Sequence, residues 1–80
     1  MTREEILIST RQIIADQMGV SIEKVSEDTN LETDLGADSL DYVEFIMELE
    51  DEFNIIIDDK EGESVKTMKD IVALVELKLA

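Results

Sequence analysis

Ser39 is the residue with chemistry to offer. It stands in Gly36-Ala37-Asp38-Ser39-Leu40, directly ahead of the unbroken run Asp41-Tyr42-Val43-Glu44-Phe45-Ile46-Met47-Glu48-Leu49-Glu50-Asp51-Glu52-Phe53. A glycine, a small residue and an Asp/Ser capping pair before a periodic segment predict a loop feeding the start of a long helix. The first N–H groups of such a helix have no partners within it, and the helix dipole favours a negative group there by about 0.3–1 kcal/mol. A phosphate ester on the Ser39 hydroxyl would be well placed. Nucleophilic work would need a base, but the chain has no His, and its lysines are scattered among acids that keep them protonated. Ser39 therefore reads as a residue to be modified rather than as a nucleophile.

The helix that follows has three faces when plotted at roughly 100° per residue. Tyr42, Phe45, Ile46, Leu49 and Phe53 share the sector expected to face the core. Leu40, Val43 and Met47 form a second apolar stripe, too far round to be buried by the same neighbours. Asp41, Glu44, Glu48 and Asp51 make an acidic rail along its flank. Glu48, Glu50, Asp51 and Glu52 also crowd the helix C-terminus, where the dipole favours cations instead. Charge alone would be satisfied by a solvated, solubilising face. An acidic rail beside an exposed apolar strip that begins next to Ser39 points instead to a docking surface for basic partners.

Gly36-Ala37-Asp38-Ser39-Leu40-Asp41, followed by Val43-Glu44 and then Glu50-Asp51-Glu52-Phe53, resembles the prosthetic-group attachment region of acyl carrier proteins. A bare Asp-Ser-Leu is a weak signal, because most such serines only cap helices. The extended match, in a chain of this length and acidity, is specific and covers essentially the whole sequence. The resemblance implies that Ser39 carries 4'-phosphopantetheine, a long flexible arm ending in a thiol to which acyl groups are thioester-linked. It implies that Asp38, Leu40, Asp41, Glu44, Met47 and Asp51 contact basic surfaces of partner enzymes. A carrier-protein synthase, the phosphopantetheinyl transferase, would supply the arm from coenzyme A. Acyl-transferring, condensing and reducing enzymes would then use it.

Eighty residues allow one domain, residues 1–80, and at this size only about 60–65% of the unfolded surface can be buried. The net charge is −14, with 21 acids against seven bases, so nucleic acid and anionic membrane surfaces are repelled. Hydrophobic residues make up 44% of the chain and recur periodically, which argues for a folded protein rather than a disordered acidic tail. The absence of Cys excludes disulfides and thiolate metal sites, and neither Asp28-Thr29-Asn30-Leu31-Glu32 nor Asp58-Asp59-Lys60-Glu61-Gly62 has calcium-loop spacing. No metal site is expected. No segment has the length for a membrane span, and the N-terminus lacks a secretory pattern, so a cytoplasmic monomer is the expectation.

The expected fold is all-α, a small four-helix bundle of three longer helices and one short helix, of the acyl carrier protein type. Thr2 can cap a first helix running to about Met18 and stopped by Gly19, with Ile6, Leu7, Ile13, Ile14 and Met18 inward and Ile8 partly exposed. From Val20 to Ala37 an ordered loop is anchored at Val20, Ile22, Val25, Leu31 and Leu35, with a short helical turn near Asn30 to Asp34. Asn54 to Ile57 reads as an extended connector that inserts Ile55 and Ile57. Asp58 to Ser64 reads as a short, poorly specified helix or turn interrupted by Gly62. Here the chain departs from the family's pattern, which often has proline after the isoleucine and no glycine. Thr67 and Asp70 open a final helix with Met68, Ile71, Val72, Val75 and Leu79 on one face, leaving Leu74 and Leu77 outside it.

A core poor in aromatics can shift to admit an alkyl chain. A fatty acyl group is expected to fold back between the second and third helices, against Phe45, Ile46, Leu49, Ile57 and Ile71. The function expected is that of a carrier, not an enzyme, serving discrete fatty-acid or polyketide enzymes. Within the family an aminoacyl or peptidyl carrier is the alternative. Outside it, the rival is a non-covalent acidic helical adaptor that uses Leu40, Val43 and Met47 in a partner groove.

Overall fold

Four helices carry the chain, and every one opens with a Thr or Asp followed three residues later by an acid. The computed structural model describes all 80 residues, with α1 at Arg3–Met18, α2 at Ser39–Phe53, α3 at Asp59–Ser64 and α4 at Met68–Leu79. Thr2, Asp38, Asp58 and Thr67 each accept the N–H three residues on, and Glu5, Asp41, Glu61 and Asp70 each reach back to the capping residue's N–H. These reciprocal boxes satisfy two otherwise orphaned donors at each helix start. The ends differ: Gly19 closes α1 and Asn54 closes α2, both in the left-handed conformation. No helix is long and apolar enough to cross a membrane.

α1 packs on both α2 and α4, α2 touches α4, and α3 lies against α2. Their inward faces close over one cluster of 15 buried apolar residues. Ile6 and Ile14 are fully buried on α1, with Leu7, Ile13 and Met18 at the margin and Ile8 exposed, as the periodicity predicts. Phe45, Leu49 and Phe53 occupy the same role on α2. On α4 the inward face is Met68, Ile71, Val72 and Val75. Leu79, expected there, is 40% exposed, whereas Leu74 packs against the core edge. Leu79 lies in the last turn of α4, where that face is left uncovered.

The connection between α1 and α2 is ordered by contacts distant in sequence. Arg11 donates from Nε to the Val25 carbonyl and from Nη2 to the Ile22 carbonyl, the latter at 2.9 Å, pinning a single 3₁₀ turn at Ile22–Lys24 that the periodicity did not predict. Val25 and Leu31 are buried anchors, and Val20, Ile22 and Leu35 are half-buried. The loop then crosses the start of α4. Leu31 N–H donates to the Lys66 carbonyl at 2.9 Å, Met68 N–H to the Thr29 carbonyl at 3.1 Å and Lys69 N–H to the Glu27 carbonyl at 3.0 Å. Two helix-start donors that water would otherwise serve are thereby closed off by the chain itself. The turn expected near Asn30 is present, with Asp34 N–H bonded to the Asn30 carbonyl at 3.0 Å and the Asn30 side chain accepting from Glu32 and Thr33.

Beyond α2 the chain runs extended, with Ile57 buried, Ile55 half-buried and Ile56 exposed, the alternation expected of this connector. Glu50 fixes it by accepting the Ile57 N–H at 2.9 Å, so this acid belongs to the structure and not to the free rail. Gly62 does not interrupt α3. The helix runs through it because α3 lies close to α2 there: a Cβ on Gly62 would sit 3.2 Å from Ile46 Cγ1. Glycine here is a spacer that lets two helices approach.

Candidate functional site: an open helix start beside a groove

The approach to Ser39 is built by one tight turn. Gly36 donates to the Glu32 carbonyl at 2.9 Å and adopts φ +73°, a conformation open to glycine at little cost. Ala37 then donates to the Leu31 carbonyl at 3.0 Å and is itself buried. With Ala37 held down, Asp38, Ser39 and Leu40 emerge into solvent at the first turn of α2. Asp38 Oδ1 accepts from Asp41 N–H at 3.0 Å, and Asp41 Oδ2 accepts from Asp38 N–H at 2.9 Å. The cap is therefore Asp38 and its partner Asp41. The Ser39 hydroxyl has no part in holding the helix and is left exposed.

The expected strip is present. Leu40, Val43 and Met47 are 72%, 56% and 58% exposed, far above what a core face allows. Glu44, Glu48 and Asp51 are exposed along the same helix, and Asp41 is half-exposed. Gln17 on α1 donates to the Glu44 carboxylate, which steadies one rail residue against the neighbouring helix. All six residues expected at a partner interface, Asp38, Leu40, Asp41, Glu44, Met47 and Asp51, lie on α2 or its cap. The structure thus gathers Ser39, the apolar strip and the rail on one element.

A groove of about 880 Å³ opens beside Ser39, bounded by α2, the connector, α3 and the segment leading into α4. Of the side chains expected against an acyl chain, Ile46 and Ile57 line it, while Phe45, Leu49 and Ile71 lie behind the wall in the closed core. Tyr42, Val43, Met47, Gly62 and Lys66 line it in addition. Tyr42 packs edge-on to Phe45 with ring centroids 5.8 Å apart, and its buried hydroxyl has no hydrogen-bond partner. Burial, reinforced by the nearby Glu32 and Asp70 carboxylates, pushes the Tyr42 phenol above its ordinary pKa. The only advance signal of that strain was a tyrosine on a face otherwise filled by residues without polar side-chain atoms. Gly62 had a signal too, as a glycine inside a helix, which makes sense only where another element presses close.

The family described as "Phosphopantetheine attachment site" matches residues 10–75. An acyl carrier protein from Thermosynechococcus vestitus is 45% identical over 80 residues, covering 100% of this chain and 99% of the relative. An acyl carrier protein from Exiguobacterium sp. is 39% identical over 79 residues, covering 99% of this chain and 100% of the relative. The crystal structure of the acyl carrier protein from Thermotoga maritima superimposes with a TM-score of 0.82 at 33% identity, over 99% of this chain and 92% of that one. With the family match, the full-length relatives and the same arrangement of helices in agreement, the chain belongs to the acyl carrier protein family.

Proposed function

We propose that Ser39 is the residue to which 4'-phosphopantetheine is joined, and that residues 1–80 act as one acyl-carrier domain serving separate enzymes of fatty-acid or polyketide synthesis. The observation that carries this reading is the exposed Ser39 hydroxyl on the first turn of α2, next to the groove. The residues present fit the group. Ser39 and Leu40 N–H groups are engaged by no other part of the chain and favour a negative ester oxygen at this helix end. The groove offers Val43, Ile46, Met47 and Ile57 to an apolar cargo. When attached, the arm supplies a terminal thiol on which acyl groups are held as thioesters.

The chain's own residues position and present. Asp38 and Asp41 hold each other in the capping box, so the serine is offered at a fixed place, and neither acid is hydrogen-bonded to its hydroxyl as a base would be. The chain has no histidine to take that role, and catalysis is assigned to the partners. Asp38, Leu40, Asp41, Glu44, Met47 and Asp51 meet basic surfaces on the carrier-protein synthase and on the acyl-processing enzymes. Contacts of this exposed, charged kind give fast and salt-sensitive docking. A cytoplasmic setting, among soluble enzymes, suits such a carrier.

The test is intact mass after incubation with coenzyme A and a broad-specificity phosphopantetheinyl transferase, followed by peptide mapping. One phosphopantetheinyl addition on the peptide containing Ser39 is the expected result. An unchanged mass would overturn the carrier reading and leave a non-covalent adaptor.

A further inference from the structure

The seven bases of this chain divide by use. Arg3 pairs with Glu27 and Glu76, Lys69 with Asp28 and Lys78 with Glu61, and Arg11 is spent on two loop carbonyls. Lys24, Lys60 and Lys66 make no ion pair. Of these three only Lys66 lines the groove beside Ser39. Its backbone is fixed at both ends: its N–H donates to Asp70 Oδ2 at 2.9 Å, and its carbonyl accepts the Leu31 N–H at 2.9 Å. The anchored backbone roots at the groove a flexible side chain whose ammonium is exposed and unengaged.

The surroundings say what it would meet. The groove wall also carries Glu32, Asp38, Glu50, Asp58, Asp59 and Glu63, on a protein whose net charge is −14. Asp38, Glu50 and Asp58 are committed to backbone N–H groups, while no hydrogen bond or ion pair holds the Glu32, Asp59 or Glu63 carboxylates. A free anion has little reason to enter such a place. A phosphodiester joined to Ser39 has no choice, because its covalent bond delivers one more negative charge between Asp38 and the groove.

We propose that Lys66 is the counter-ion of that phosphodiester. This rests on the reading of Ser39 as the attachment residue and goes beyond it by naming the side chain that offsets the added charge. Lys66 acts as a positioning residue, drawing the root of the arm toward the groove from the wall opposite α2.

The experiment compares unmodified and phosphopantetheinylated forms of the wild type, K66R, K66Q, K66E and the control K60Q by thermal unfolding at low salt, with the mass of each sample verified. The readout is the change in Tm on modification, which isolates the coupling between side chain and phosphate. That change should be more unfavourable in K66E than in wild type by roughly 1–6 °C, intermediate in K66Q, and like wild type in K66R and K60Q. In the wild type, the Lys66 Cε and Nζ resonances should move on modification while those of Lys60 stay. High salt should shrink the difference. Equal Tm changes in all five proteins, or an unmoved Lys66 signal, would overturn the Lys66 assignment alone. Failure of the wild type to gain mass would take down the attachment reading and this one together.

Discussion

α2 and α4 begin with the same chemistry and come to opposite ends. Each opens with a reciprocal box, Asp38 with Asp41 and Thr67 with Asp70. At α4 the next two donors, Met68 and Lys69 N–H, are taken by the Thr29 and Glu27 carbonyls, and Met68 is wholly buried. At α2 the corresponding donors belong to Ser39 and Leu40, and both residues are exposed. A capping motif by itself therefore says nothing about function. What distinguishes the two is whether another stretch of chain folds across the helix start.

That contrast yields its largest expected effect at Ser39 itself. S39A should abolish phosphopantetheinyl uptake, read as intact mass, yet leave Tm nearly unchanged because Asp38 does the capping. Retained uptake would mean that the open helix start is not the acceptor. Next, reversing two rail charges with E44K and E48K should slow transfer to Ser39 by about tenfold at low ionic strength, with the gap closing as salt is added. Rates equal to wild type would remove the rail from docking.

T67A should show the opposite pattern from S39A. Loss of this cap should cost about 1 kcal/mol, lowering Tm by roughly 4–8 °C, with uptake by Ser39 unaffected. D70N probes the same closed end through pH. Hydrogen bonds from the Lys66 N–H, then from Thr67, hold the Asp70 carboxyl below its ordinary 3.8 against the opposing effect of burial. A depressed folded-state pKa means that Asp70's contribution is complete above that ordinary value and drains away as pH falls through the lower one. Wild type and D70N should thus differ in denaturant midpoint at neutral pH and converge as pH falls through that lowered value. Relief of the general acid–acid repulsion on acidification acts on both proteins and cancels in the comparison.

The smallest effect is expected at Tyr42, whose hydroxyl is buried on the groove wall without a partner. Y42F removes a donor that folding desolvates without compensation, so stability should rise by up to about 1 kcal/mol. Its advantage over the wild type should widen above pH 10, where the raised folded-state pKa of the phenol makes ionisation favour the unfolded wild type. A loss of stability by Y42F would show that the hydroxyl has a partner after all.

How much of this could be read in advance follows the range of the interactions. Thr2, Gly19, Asp38 and Thr67 act on neighbours within a turn, so the helix limits at Arg3–Met18 and Ser39–Phe53 are local facts. The exposed Leu40, Val43 and Met47 were equally legible, because fifteen residues fix a helical face with little ambiguity. The 3₁₀ turn at Ile22–Lys24 was not, since it depends on Arg11 reaching across from another helix. The structural role of Glu50, one of the acids crowding the end of α2, was hidden for the same reason: its partner, the Ile57 N–H, is seven residues away, beyond the end of the helix. Leu79 and Leu74 changed places because periodicity assumes that a neighbour exists along the whole face. Over the last turn of α4 it does not.

The close approach at Gly62 sets two unequal walls beside the groove. α3 is only six residues long, rests chiefly on α2, and is tied elsewhere by the 2.8 Å contact between its Glu61 and Lys78. A segment that short has little helical stability of its own and depends on what it leans on. One bank of the channel beside Ser39 is thus a long, deeply rooted rod, and the other is a light panel with a bare Cα where most residues would carry a side chain. A push from within the groove would meet less resistance from the panel than from the rod that carries the serine at its tip.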